Sequence, residues 1–174
     1  MAGPVTAGAV LLKTTRFENR IDDSKKLSPT QRERAFSEII NKCVFGTGII
    51  DERVIDRVNI AVATRMAMEE AVLSLLGKLG PGRRKNIHIL VDGNIKLKIG
   101  LPFTNIIKGD SKSMSIACAS ILAKVTRDRK MVLYDKIYPR YGFLKHKGYP
   151  TREHRMALKK FGPSSIHRLS FYGV

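Results

Sequence analysis

A chain of 174 residues, 43% of them hydrophobic, can build one domain with a packed core and is short for two. Its 32 Lys and Arg against 15 Asp and Glu leave a formal charge of +17, which favours a polyanionic partner. Nucleic acid comes first, with an anionic membrane surface or a ribosome-like assembly as the alternatives. No apolar run approaches the roughly 20 residues of a spanning helix, and Met1-Ala2-Gly3-Pro4-Val5 carries no positively charged leader, so a soluble cytoplasmic protein is expected.

In chain order, Val5 to Leu12 is β-rich and apolar and predicts a strand. Asn19 to Leu27 is a polar loop. Ser28-Pro29 with Gln31 three residues after the serine is a helix start, with Phe36, Ile39, Ile40 and Cys43 on one face. Val44 to Ile50 suits a second strand with a turn beyond it. Asp51 to Leu79 predicts a short helix and then a long one, with Ile60, Ala63, Ala67, Ala71 and Leu75 as a stripe of small and apolar residues. Gly80-Pro81-Gly82 stops it. Ile87 to Val91 is a buried strand, and Asn105 to Lys108 is a further short one. A long helix follows from about Ser113 to Tyr134, its first turns rich in small residues that let it lie close to a sheet. A last helix spans about Arg152 to Phe161. Strands and helices alternate without repeats, which points to a layered α/β domain with a mixed sheet. Cys43 and Cys118 sit among small and apolar residues and are expected as a buried, reduced pair.

Two places share one form, a short apolar strand ending in an Asp beside a Gly: Leu90-Val91-Asp92-Gly93 and Ile107-Lys108-Gly109-Asp110. Active sites of open α/β sheets gather where strands end, and the glycine lets a ligand approach the backbone. Two carboxylates there could share divalent metal ions, which prefer hard oxygen ligands. Asp-Gly is also a common turn, and Asp110 could simply cap the next helix. His146, His154 and His167 lack the spacing and cysteine company of a zinc site and read as structural or substrate-adjacent.

The run from Lys108 to Asp128, KGDSKSMSIACASILAKVTRD, closely resembles the signature of the ribonuclease HII family. Further matches follow in family order: Asp23-Ser24-Lys25-Lys26-Leu27; Ile55-Asp56 with Asn59-Ile60 and Ala67-Met68; Val91-Asp92-Gly93; His146-Lys147-Gly148-Tyr149 with His154; and Ile166 to Phe171. The resemblance implies a ribonuclease H-like mixed sheet flanked by helices, with a helical C-terminal part. It implies a single domain over 1–174, in which about 135–174 form a C-terminal substrate-binding extension. It also implies a monomeric endonuclease on RNA–DNA hybrids that cuts 5′ of ribonucleotides embedded in DNA, using Mn2+ or Mg2+ in a two-metal mechanism. Asp92 and Asp110 then match the third and fourth catalytic carboxylates and serve as metal ligands. Tyr149 matches a tyrosine that stacks on the sugar at the RNA–DNA junction. Lys25, Lys26, Lys145 and Lys147 are expected phosphate contacts, though each alone is also an ordinary solvated charge.

The family's first strand carries Gly-x-Asp-Glu-x-Gly-Arg-Gly, followed within a residue or two by Ala-Gly-Pro-Val. This chain has Ala2-Gly3-Pro4-Val5 and no such motif; Asp51-Glu52 follows a different strand and reads as a helix start. The central first strand is therefore expected to be missing, Met1 to be an internal Met of a longer protein, and residues 1–174 alone to be inactive. A non-catalytic hybrid- or RNA-binding relic is the alternative.

Overall fold

A computed structural model describes residues 1–80, 82, 86–171 and 173–174. Elements follow in the order β1 (Val5–Leu12), α1 (Pro29–Lys42), β2 (Cys43–Ile50), α2 (Glu52–Val58), α3 (Ile60–Gly77), β3 (Ile89–Asp92), β4 (Phe103–Ile106), α4 (Met114–Ile137), α5 (Phe143–His146) and α6 (Arg152–Phe161). Strand β1 and helix α6 form over the residues that the sequence assigns to them. The start of α1 does too: Ser28 Oγ accepts the Gln31 N–H while the Gln31 side chain accepts the Ser28 N–H. Such reciprocal capping contributes about 1 kcal/mol. Asp51 caps α2 by accepting the Val54 N–H, so the Asp51-Glu52 pair is a helix start. No turn separates β2 from that cap. Asn59, at φ 70, then breaks the helical run into the expected short and long pieces.

Some boundaries differ. The sequence places strands at 87–91 and 105–108, whereas they form at Ile89–Asp92 and Phe103–Ile106. Their limits are set by mutual pairing, which begins where the Ile89 N–H donates to Pro102 O and which local composition does not encode. Ile60 does not join the buried stripe. It lies exposed at the start of α3, and burial begins at Ala63 and continues through Ala67, Ala71 and Leu75. Helix α3 ends at Gly77; of the expected Gly80-Pro81-Gly82 stop, Pro81 lies outside the described residues. The short helix α5 has too few turns to leave a periodic signal.

The chain falls into two compact units. One comprises Thr6–Ile49 and Arg65–Val125. Among the described residues its strands pair as two separate two-stranded sheets, β1 with β2 and β3 with β4, the latter parallel. Its core joins Leu27, Ala35, Phe36 and Ile39 to Cys118, Ile121, Leu122 and Val125. Cys43 lies in that core as well, and both cysteines are free and buried, as expected. Burial pushes the Cys118 thiol up to about 12, so it stays a neutral packing group.

The other unit comprises Met1–Val5, Ile50–Thr64 and Thr126–Val174. Its core holds Met131, Tyr141, Phe143, Leu158 and Ile166. Two arginines, Arg168 buried and Arg127 half-buried, fasten its N-terminal strip: Arg168 donates to Gly3 O at 2.9 Å and Pro4 O at 3.2 Å, and Arg127 to Pro4 O at 3.1 Å and Ala2 O at 3.3 Å. Asp56 accepts the backbone N–H groups of Leu169 and Ser170 at 2.8 and 2.9 Å, tying α2 to the C-terminal turn. Among the described residues no helix is long and apolar enough to cross a membrane.

Candidate carboxylate centre and nucleic-acid contacts

Parallel strands end at the same edge of their sheet, and β3 and β4 do so in register, Asp92 beside Ile106. The Gly93 N–H donates to Ile106 O at 3.0 Å and closes the ladder. Beyond Ile107, Lys108 takes a left-handed conformation, φ 54, and turns the chain into a 3-10 turn over Gly109–Ser111. That turn aims the Gly109 N–H at Asp92 Oδ1, 2.8 Å away. A Cβ there would stand 2.6 Å from Ile116 Cδ1, whose side-chain tip would have to move, and 3.3 Å from Asp92 Oδ1. Asp92, at the end of β3, is thereby bonded to the residue that precedes Asp110, which lies in the 3-10 turn beyond β4.

Charge is crowded at this edge. Burial, then the neighbouring Asp23 and then Asp92 raise the Asp110 carboxyl above its ordinary range, against the pull of Lys25, whose Nζ lies 4.0 Å from Asp110 Oδ2. Like charges that repel one another in a half-buried place favour a cation beside them. The assignment of roles from sequence passed over Asp23, although its place in Asp23-Ser24-Lys25-Lys26-Leu27 was a usable signal. The Asp23 loop is fastened by a 2.9 Å bond between Ser24 Oγ and Ser120 Oγ, and Arg32 donates to Ser24 O at 2.8 Å.

The remaining candidates divide. Lys26 pairs with Asp22 at 3.4 Å, within the same unit as Asp92 and Asp110. Lys145 pairs with Glu153 at 3.7 Å, while Lys147 takes a left-handed turn, φ 49, and donates to Leu144 O. These two and Tyr149 belong to the unit that contains Thr126–Val174. Tyr149 is 53% exposed, with the Arg127 guanidinium 5.2 Å from its ring centroid. His146, His154 and His167 are buried together beneath it, with His154 Nδ1 2.9 Å from the Tyr149 carbonyl oxygen.

Among the described residues no three His, Cys, Asp or Glu side chains gather as a metal-binding group. Asp92 and Asp110 fit as anchors for one hydrated Mg2+ or Mn2+, a hard ion that keeps several waters. They do not fit two such ions, because two carboxylates supply too few negative oxygens to offset the dehydration of both.

The ribonuclease HII family model matches residues 1–174. The ribonuclease HII of Ruminiclostridium cellulolyticum is 52% identical over 172 residues, covering 98% of this chain and 65% of that protein. That of Caldicellulosiruptor bescii is 48% identical over 172 residues, covering 98% of this chain and 80% of that protein. In three dimensions the chain resembles the ribonuclease H2 of Pyrococcus horikoshii OT3, with a TM-score of 0.75 at 24% identity over 99% of this chain and 88% of that one. It also resembles the RNase HII of Archaeoglobus fulgidus, determined in complex with PCNA, with a TM-score of 0.71 over 97% and 86% of the two chains. These two likenesses establish a ribonuclease H-like fold. Matched from end to end by the family model and nearly so by relatives at about half identity, the chain belongs to the ribonuclease HII family of ribonuclease H-type endoribonucleases.

Proposed function

We propose that this chain carries the nucleic-acid-binding surface and two of the catalytic carboxylates of an endonuclease that hydrolyses the RNA strand of RNA–DNA hybrids and cuts 5′ of ribonucleotides embedded in DNA. The observation behind this reading is the 2.8 Å bond from the Gly109 N–H to Asp92 Oδ1, which ties Asp92 to the turn that carries Asp110. Enzymes of this family act on RNA–DNA hybrids and depend in general on divalent metal ions; at a phosphodiester such ions supply Lewis acidity. Asp92 and Asp110 would hold the ion. Gly109 orients Asp92, and Lys25 offsets the charge of Asp110 until a cation enters. Lys25, Lys26 and Lys147 would neutralise phosphates, and the exposed ring of Tyr149 would lie against a sugar face. A monomer in the cytoplasm with Mn2+ or Mg2+ completes the reading.

The carboxylate count also supports a second reading for residues 1–174 by themselves, a module that binds hybrids without cutting them. A duplex carrying one ribonucleotide distinguishes the two. With Mg2+ or Mn2+, residues 1–174 are expected to bind it in a strongly salt-dependent way and to leave it uncut. Appreciable turnover that disappears in Asp92→Asn would show that the carboxylates present suffice, and the binding-only reading would be wrong. Binding that is insensitive to salt would remove the phosphate contacts.

A further inference from the structure

The three buried histidines have partners that dictate their tautomers. The carbonyl oxygen of Tyr149, 2.9 Å from His154 Nδ1, can only accept, so that nitrogen carries the proton and donates. His154 Nε2 is then an acceptor, and it faces His167 Nε2 at 2.9 Å. On His167 the other nitrogen, Nδ1, accepts the Ser164 backbone N–H at 2.9 Å, which leaves the His167 proton on Nε2, where the chain needs it. Donors and acceptors therefore run in one direction, Ser164 to His167 to His154 to the backbone of Tyr149. His146 lies flat against His154, ring centroids 4.4 Å apart. It donates from Nε2 to Tyr141 O at 2.8 Å and accepts the Gly148 N–H on Nδ1 at 3.2 Å. Phe143 packs edge-on against both rings and closes the box.

Above this box the turn bearing Tyr149 is held from a second side. Arg127, of the Ala-Lys-Val-x-Arg-Asp signature, donates to Lys147 O at 3.0 Å and holds its guanidinium 5.2 Å from the centre of the Tyr149 ring. Burying so many polar atoms costs stability unless each is satisfied, and here each has its partner. An exposed aromatic ring whose backbone is pinned from below and whose face lies near a fixed cation loses little freedom on binding.

We propose that His154, His167 and Arg127 are positioning residues that hold Tyr149 in place as a platform for the sugar of a bound nucleic acid. This rests on the reading of Tyr149 as a substrate contact, which Tyr149→Ala tests separately. Affinity of the 174-residue chain for a fluorescent duplex with one ribonucleotide is measured without divalent ions. Tyr149→Ala is expected to weaken binding about fivefold. His154→Leu and Arg127→Lys are each expected to weaken it about threefold in the parent chain and to change nothing further in Tyr149→Ala. His154→Asn, whose amide places a donor near the position of Nδ1, restores most of the His154→Leu loss.

Losses that are the same with and without Tyr149, or His154→Asn as weak as His154→Leu, would overturn the proposal. If Tyr149→Ala leaves affinity unchanged, the contact reading fails and the proposal with it. If Tyr149→Ala weakens binding and the other variants do not, the proposal alone fails. A second measurement needs no variant: imidazole nitrogen NMR of the parent chain is expected to show the Nδ1–H tautomer for His154 and the Nε2–H tautomer for His167. Any other pair of tautomers contradicts the chain of bonds.

Discussion

Gly48→Ala is expected to destabilise its unit by about 3 kcal/mol or more, at the upper end of what overpacking costs. A Cβ at this position would stand 2.0 Å from Ala67 O and 2.8 Å from Ala71 N, and one at Gly46 would stand 2.1 Å from Ala71 O. These neighbours are helix backbone, which cannot swing aside as a side-chain tip can. Relief requires α3 to retreat from β2, which would open the close packing around the buried Ala67 and Ala71. The small-residue stripe of α3 and the glycines of β2 are thus two sides of one contact. Gly77, with nothing within 4 Å of its would-be Cβ, is the control. Gly77→Ala should leave stability unchanged or raise it by up to about 1 kcal/mol. Urea unfolding of the three proteins checks this, and a Gly48→Ala variant as stable as the parent would refute the contact.

Acidification is expected to have a comparable effect on the other unit, in a window set by its buried histidines. Burial, more than any neighbour, lowers His154 and His167 from the ordinary 6.5 to about 4 in the folded chain. Between those values the unfolded chain binds protons that the folded chain refuses. The stability from these rings is therefore fully present above pH 6.5 and drains away as the pH falls towards 4, by about 3 kcal/mol for a single ring. The bond geometry gives the same sign, since a second proton on His154 would set two N–H groups against each other at Nε2.

Glu38, in the unit with Asp92, responds elsewhere. Burial alone would raise it, but Lys42 and the backbone N–H groups of Glu18 and Asn19 outweigh burial and bring it to about 2. Its contribution is present above about pH 4.5 and lost towards pH 2. Unfolding free energy followed from pH 7.5 to 4 should fall mainly below 6.5, and His167→Gln should flatten the curve. A level profile across that range would contradict the buried neutral rings.

How far the sequence disclosed all this depends on the range of the interaction. Local chemistry was legible: the Ser28–Gln31 capping box, the Asp51 cap and the α6 boundaries follow from residues within a turn or two of one another. The repeated Asp and Gly pattern pointed to residues 92–93 and 109–110, and the Gly109–Asp92 bond ties these two places together. Boundaries fixed by a distant partner were not, which is why β3 and β4 begin two residues away from their expected starts. Nor was the histidine box, because His154 and His167 are 13 residues apart and follow no ligand spacing. Asp23 shows an intermediate case: its motif was visible, but its repulsion of Asp110 depends on how the loop folds back.

In the function proposed above, the carboxyl groups at positions 92 and 110 form one cation-attracting pair. Titrating the 174-residue chain with Mn2+ and following backbone amide signals by NMR tests it most directly. Selective broadening of Asp92, Gly93, Gly109 and Asp110, competed away by Mg2+ and absent in the Asp92→Asn/Asp110→Asn double variant, is the expected result. Broadening that centres on another part of the chain, or that persists undiminished in the double variant, would contradict it.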